Sequence, residues 1–158
     1  MAHLRVTHST TASPAACWAL MSNFVNIDFF NPNLKSSHLL AGSPEHGVGM
    51  TRQCDLIDGK NYIREKVIDW QEGRSYTVDI YDGTMPVRKS KTTLGLSPRA
   101  DGGTDLYMDF TYTPKYGPLG AVMNVLAMRS MFRALLKKVL TGLSEKAIAS
   151  ERSFKAAA

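Results

Sequence analysis

Leu4 and Val6 alternate with Arg5 and Thr7 at the start of the chain, a period of two that predicts a short strand ending in Ser9-Thr10-Thr11. Ser13-Pro14 then supplies a capping side chain and a proline whose fixed φ suits a first helical turn. A helix is predicted from Ala15 to about Ser22, burying Cys17, Trp18, Leu20 and Met21. A second short helical piece, Val25 to Phe30, is stopped by Asn31-Pro32-Asn33. From there to Pro114 the period returns to two.

Pairing arithmetic connects the strands of that middle region. Asp58-Gly59 predicts a tight hairpin whose opposed residue numbers total 117, so Met50 faces Val67, Arg52 faces Glu65 and Cys54 faces Ile63. Glu72-Gly73 predicts a second two-residue turn with pairs totalling 145, placing Ile80 opposite Glu65, Val78 opposite Val67 and Tyr76 opposite Asp69. A loop from Pro98 to Gly103 pairs Leu96 with Thr104, Leu94 with Leu106, Thr92 with Met108, Ser90 with Phe110 and Arg88 with Tyr112. One face collected in this way carries Val48, Met50, Val67, Val78, Leu94, Met108 and Phe110. The other carries Arg64, Lys66, Asp79, Lys91 and Asp109. A long meander with one wet face is an antiparallel sheet of an α+β domain, because a parallel sheet needs long crossovers and helices on both faces.

After Pro114 the period changes to that of a helix. Leu119, Val122, Met123, Leu126, Met131, Leu135, Val139, Leu143 and Ala147 recur mostly at steps of three and four from about Leu119 to about Ile148, interrupted only by Gly142. A helix of about 30 residues spans about 45 Å, enough to cross a six- or seven-stranded sheet. One domain over residues 1–149 is expected, with 150–158 as a flexible tail.

Composition narrows the function classes. The 158 residues are 44% hydrophobic and 21% charged, which suits one globular domain. Two cysteines, Cys17 and Cys54, are too few for a disulfide framework and have no metal-ligand spacing, and the polar start has no signal-like apolar run, so a cytoplasmic location is expected. The net charge of +5 is unevenly placed. Residues 1–114 hold 11 Lys and Arg against 12 Asp and Glu, whereas 115–158 hold 8 against 2. Arg129, Arg133, Lys137 and Lys138 interleave with apolar residues at helical spacing and read as a solvated helix face, so neither nucleic acid nor an integral membrane position is expected. The glycines at 42, 47 and 49 do not bridge a strand and a helix, and the four histidines lie outside the strand centres. No cofactor and no metal are indicated.

The order of strand, two short helices, six-strand meander and long C-terminal helix resembles the START-like (SRPBCC) superfamily, most closely its small bacterial polyketide cyclase/dehydrase-like branch. The resemblance is carried by Ser13-Pro14 with Trp18-Ala19-Leu20-Met21, Gly47-Val48-Gly49-Met50-Thr51-Arg52, Asp58-Gly59, Glu65, Leu96-Ser97-Pro98 and Gly102-Gly103-Thr104. It implies a helix-grip fold, in which a curved antiparallel sheet wraps the long helix and encloses a cavity. The fold is shared by carriers, enzymes and assembly proteins.

The expected cavity lining is Met50, Arg52, Glu65, Val67, Tyr76, Val78, Arg88, Ser90, Thr92, Met108, Phe110, Tyr112 and Met123. Mostly apolar walls with a few polar groups make a pocket for a small lipophilic or aromatic molecule, and the methionines offer walls that repack. Arg52 and Glu65 are the candidate catalytic residues, since a desolvated carboxylate beside a guanidinium can orient a ligand or exchange a proton. Three readings stay open: a binding protein, a polyketide cyclase or dehydratase using Glu65 and Arg52, and an assembly factor acting through the basic helix face. The pair can also be a neutralised ion pair that only sets register.

Overall fold

A computed structural model describes residues 1–115 and 118–158, the stretch 118–125 as backbone only. In chain order the elements are β1 (Ala2–Thr10), α1 (Pro14–Ser22), a 3₁₀ helix (Phe24–Phe29), β2 (Leu34–Leu39), β3 (Thr51–Leu56), β4 (Tyr62–Gln71), β5 (Ser75–Gly83), β6 (Val87–Pro98), β7 (Thr104–Pro114) and α2 (Pro118–Ala157). The strands form one curved antiparallel sheet in the order β1-β7-β6-β5-β4-β3-β2, so β2 to β7 are a meander and the chain's first strand pairs with its last. α1 begins as expected: the Ser13 side chain accepts from the Ala16 backbone N–H at 3.2 Å and Pro14 occupies the first turn.

The β3–β4 register is the expected one. Arg52 opposes Glu65 and Cys54 opposes Ile63, and the Val67 N–H donates to the Met50 carbonyl at 2.9 Å. The loop is longer than two residues, with Leu56 bonded to Asn61, but it stays symmetric about Asp58-Gly59 and so keeps the pairing. On the next hairpin Glu65 faces Ile80 and Val67 faces Val78. An extra residue at Ile68 then shifts the ladder, so Tyr76 opposes Trp70 rather than Asp69. The turn accordingly holds three residues, Glu72 to Arg74, with Gly73 at φ +73.

The β6–β7 register differs from expectation by two residues. Ser97 and Pro98 continue the strand and pair with Asp105 and Thr104, so Leu96 meets Leu106, Leu94 meets Met108, Thr92 meets Phe110 and Ser90 meets Tyr112. A slip of two preserves the face of every side chain. Arg88 is the exception, because a bulge between Val87 and Lys89 turns Val87 inward and leaves Arg88 exposed, near the Lys115 carbonyl at 3.4 Å.

α2 covers the concave face, but its buried stripe is made by Met128, Phe132, Val139, Leu140, Leu143 and Ala147. Leu126 and Met131, expected inside, face solvent at 71% and 45% exposure; Leu119, Val122 and Met123 lie outside the described side chains. The helix also continues past Ile148 to Ala157, where Glu151 accepts from the Ser13 N–H at 2.9 Å. Arg129, Arg133, Lys137 and Lys138 lie on the outward side of the helix, as a solvated face requires. Among the described residues no helix is long and apolar enough to cross a membrane.

Candidate functional site

Curvature of the sheet leaves a cavity of about 120 Å³ between its concave face and α2. Ile63, Val78, Ile80, Leu94, Met108 and Phe110 wall it from the strands, Phe132, Leu135, Leu136 and Val139 from α2, and Ile27, Asn31 and Asn33 from the segment that follows α1. Polar groups reach this apolar space from Arg52, Glu65, Tyr76, Thr92 and the two asparagines. Asn31 is tied by its Oδ1 to the backbone and side-chain amides of Asn33, whose Nδ2 also donates to the Leu135 carbonyl at 3.0 Å. The loop is thereby fastened to α2 at the cavity edge.

Arg52 and Glu65 are the charged groups of the wall. Arg52 is 1% exposed and directs both Nε and Nη2 to Glu65 Oε2 at 2.6 Å, while Nη1 donates to the Phe24 carbonyl. Its guanidinium lies 3.8 Å from the centre of the Phe24 ring. Burial works against the Arg52 charge, but Glu65 and its other neighbours outweigh it and hold the guanidinium above its usual range. The Cys54 thiol is 3.7 Å from the same Glu65 oxygen, and burial, then Glu65, pushes it up to about 12. Burial likewise raises the Tyr76 phenol, with Arg52 pulling the other way. The arrangement is a closed ion pair braced by a ring and a carbonyl, with one carboxylate oxygen carrying both guanidinium contacts and the thiol.

A sequence family described as "Polyketide cyclase / dehydrase and lipid transport" matches residues 1–147. The chain belongs to that family. Solved structures share the helix-grip fold at low identity. XoxI from Bacillus cereus superposes with a TM-score of 0.76 at 22% identity, covering 96% of this chain and 99% of that one. TTHA0849 from Thermus thermophilus gives 0.75 at 15%, over 94% and 99%. Ara h 8.0201 gives 0.66 at 18%, over 94% and 98%. Among curated proteins none matches the chain.

Within this polyketide cyclase/dehydrase and lipid transport fold, the expected lining residues divide by position. Arg52, Glu65, Tyr76, Val78, Thr92, Met108 and Phe110 line the cavity. Met50 and Val67 are buried in the core instead, Ser90 and Tyr112 are buried beside the cavity without lining it, and Arg88 is exposed. Met123 lies outside the described side chains. Asn31 and Asn33 carry in sequence only the signature of a helix stop, and their Asn-Pro-Asn pattern gives no sign that the loop folds back to α2. Met85 and Phe132 join the wall through the β5–β6 turn and the true phase of the α2 stripe.

Proposed function

We propose that the protein binds a small lipophilic or aromatic molecule in the cavity between the sheet and α2, with the Arg52–Glu65 pair orienting its polar group. The observation that carries this reading is an apolar cavity whose wall holds one buried, fully braced ion pair. Its size favours a small ligand, since drug-sized pockets run to about 300–1,000 Å³. Catalysis of cyclase or dehydratase type by Glu65 and Arg52 is the second reading, favoured by Glu65 reaching the cavity wall. The binding reading is preferred because Glu65 and the Phe24 carbonyl hold Arg52 in place, which makes the pair a fixed anchor for a ligand's polar group. Two free, buried thiols, Cys17 and Cys54, fit the cytoplasmic location included in the proposal.

Native mass spectrometry of gently purified protein should show a small molecule that leaves on denaturation. A ligand at 100 times its dissociation constant should add about 2.7 kcal/mol, a clear thermal shift. A library of fatty acids, sterols, flavonoids and aromatic polyketides giving no shift would sink the reading. Turnover of a bound compound that disappears in Glu65→Gln would favour the enzyme instead.

A further inference from the structure

One cross-strand row of the sheet carries polar groups at two places. Arg52 opposes Glu65, Glu65 opposes Ile80, Ile80 opposes Ser90, and Ser90 opposes Tyr112, so these residues of β3 to β7 stand side by side on one face. Ile80, in the middle, lines the cavity. Ser90 and Thr92 share a face of β6, as Tyr112 and Phe110 do of β7, and Thr92 and Phe110 are both cavity wall. The row therefore places two hydroxyl-bearing residues on the cavity face, Ser90 about 10 Å and Tyr112 about 14 Å from Glu65 along the row at the ~4.8 Å spacing of neighbouring strands.

Those hydroxyls are unusual in their surroundings. Ser90 is 2% exposed and Tyr112 1%, and neither Oγ nor OH finds a hydrogen-bond partner among the described residues. Buried polar groups are ordinarily paired, and alanine and phenylalanine would fill the same space without the desolvation cost. A cavity-wall side chain of α2 packs directly against Tyr112. The Phe132 ring, itself cavity wall, lies edge-on to Phe110 at 4.9 Å and to Tyr112 at 5.0 Å between ring centres.

We infer that the cavity recognises an elongated aromatic molecule with a hydrogen-bonding group at each end, one met by Arg52–Glu65 and the other by Ser90 Oγ and Tyr112 OH once the Phe132 ring turns aside. The inference rests on the proposed reading of the cavity as a ligand site and names the class of ligand. Ile80 contributes the apolar contact between the two ends, and the strand spacing sets the separation of the polar groups.

Calorimetric titration with 4,4′-dihydroxybiphenyl, 4-hydroxybiphenyl and biphenyl tests it, because the three differ only in polar ends. The second hydroxyl should raise affinity about tenfold, the size of one or two net hydrogen bonds. In the Ser90→Ala/Tyr112→Phe variant that gain should vanish, with the affinity for 4-hydroxybiphenyl unchanged. The unliganded variant should melt at or above the wild-type temperature, since it loses two unpaired groups. Equal affinity for the mono- and dihydroxy compounds, a gain that persists in the variant, or a variant that is destabilised or fails to fold would each overturn the two-ended site. Other lipophiles binding while the dihydroxy probe does not would also overturn it and leave the cavity reading standing. Failure of every lipophile, with nothing seen by native mass spectrometry, would remove the cavity reading itself.

Discussion

Removing one partner of a dry ion pair leaves the other charge buried and unmet, whereas removing both leaves only a packing change. Glu65→Ala should therefore destabilise the protein by about 3–5 kcal/mol, and Arg52→Met/Glu65→Leu by far less, read from urea unfolding midpoints. A neutral Glu65→Ala would show a solvated pair. The thiols predict an alkaline limit. Burial and Glu65 push Cys54 up to about 12, and burial above all pushes Cys17 up to about 11, from an ordinary 9.0. Between those values the unfolded chain releases protons that the folded one keeps, so stability is intact below about pH 9 and falls as pH rises toward the folded values. The urea midpoint should drop from about pH 8 to about pH 10.5, and drop less in Cys54→Ala. An equal drop in both proteins would remove Cys54 as a cause. Arg52 opposite Glu65 was legible because it depends only on a symmetric hairpin loop. Arg88 was not, because a one-residue bulge reverses a side chain and leaves no trace in the alternation. Nor were Asn31 and Asn33, whose role depends on α2, about a hundred residues later in the chain.

Elements were legible where periodicity is long and turns are punctuated. The meander followed from alternation, and α1 from Ser13-Pro14. What escaped was phase. Pro98 at a strand end moved the β6–β7 partners by two, and the α2 stripe passes through Met128 and Phe132 rather than Leu126 and Met131, because Leu and Met populate both faces of this helix. Gly142 interrupted the helical pattern for a reason that only the packing reveals: a Cβ there would fall on the Phe30 carbonyl oxygen, 3.2 Å from its carbon and 3.5 Å from Pro32 Cδ. In an exposed helix Gly→Ala stabilises by up to about 1 kcal/mol. Here overpacking against backbone, typically about 1–3 kcal/mol, exceeds that gain. Gly142→Ala should lower the melting temperature, and it should weaken ligand binding because the displaced Phe30–Asn33 loop forms the cavity edge. A raised melting temperature would show that the loop yields without cost.

At the scale of the molecule, α2 has two separable faces. Its outward side holds the basic residues that give the C-terminal segment its positive charge, and its inward side closes the part of the concave face that α1 and the 3₁₀ helix, which pack on Tyr76 and its neighbours, leave open. Val139, Leu140, Leu143 and Ala147 pack in one cluster with Val6, Val67, Leu96 and Leu106, and Met128 and Phe132 in a second with Leu4, Phe110 and Tyr112. Burying each large apolar side chain contributes about 1.5–3 kcal/mol, so Met128, Phe132, Val139, Leu140 and Leu143 together supply on the order of 10 kcal/mol. A domain's whole stability is about 5–15 kcal/mol. The sheet side chains beneath the helix would lose burial as well, and the two clusters would open together. Deleting the chain from Pro118 onward should therefore abolish cooperative unfolding and collapse amide dispersion, although each β-hairpin keeps its local pairing signals. If the truncated chain instead gave a sharp unfolding transition and well-dispersed amide resonances, the sheet would be stable without its helix, and the cavity would be a groove that α2 covers rather than a core that α2 completes.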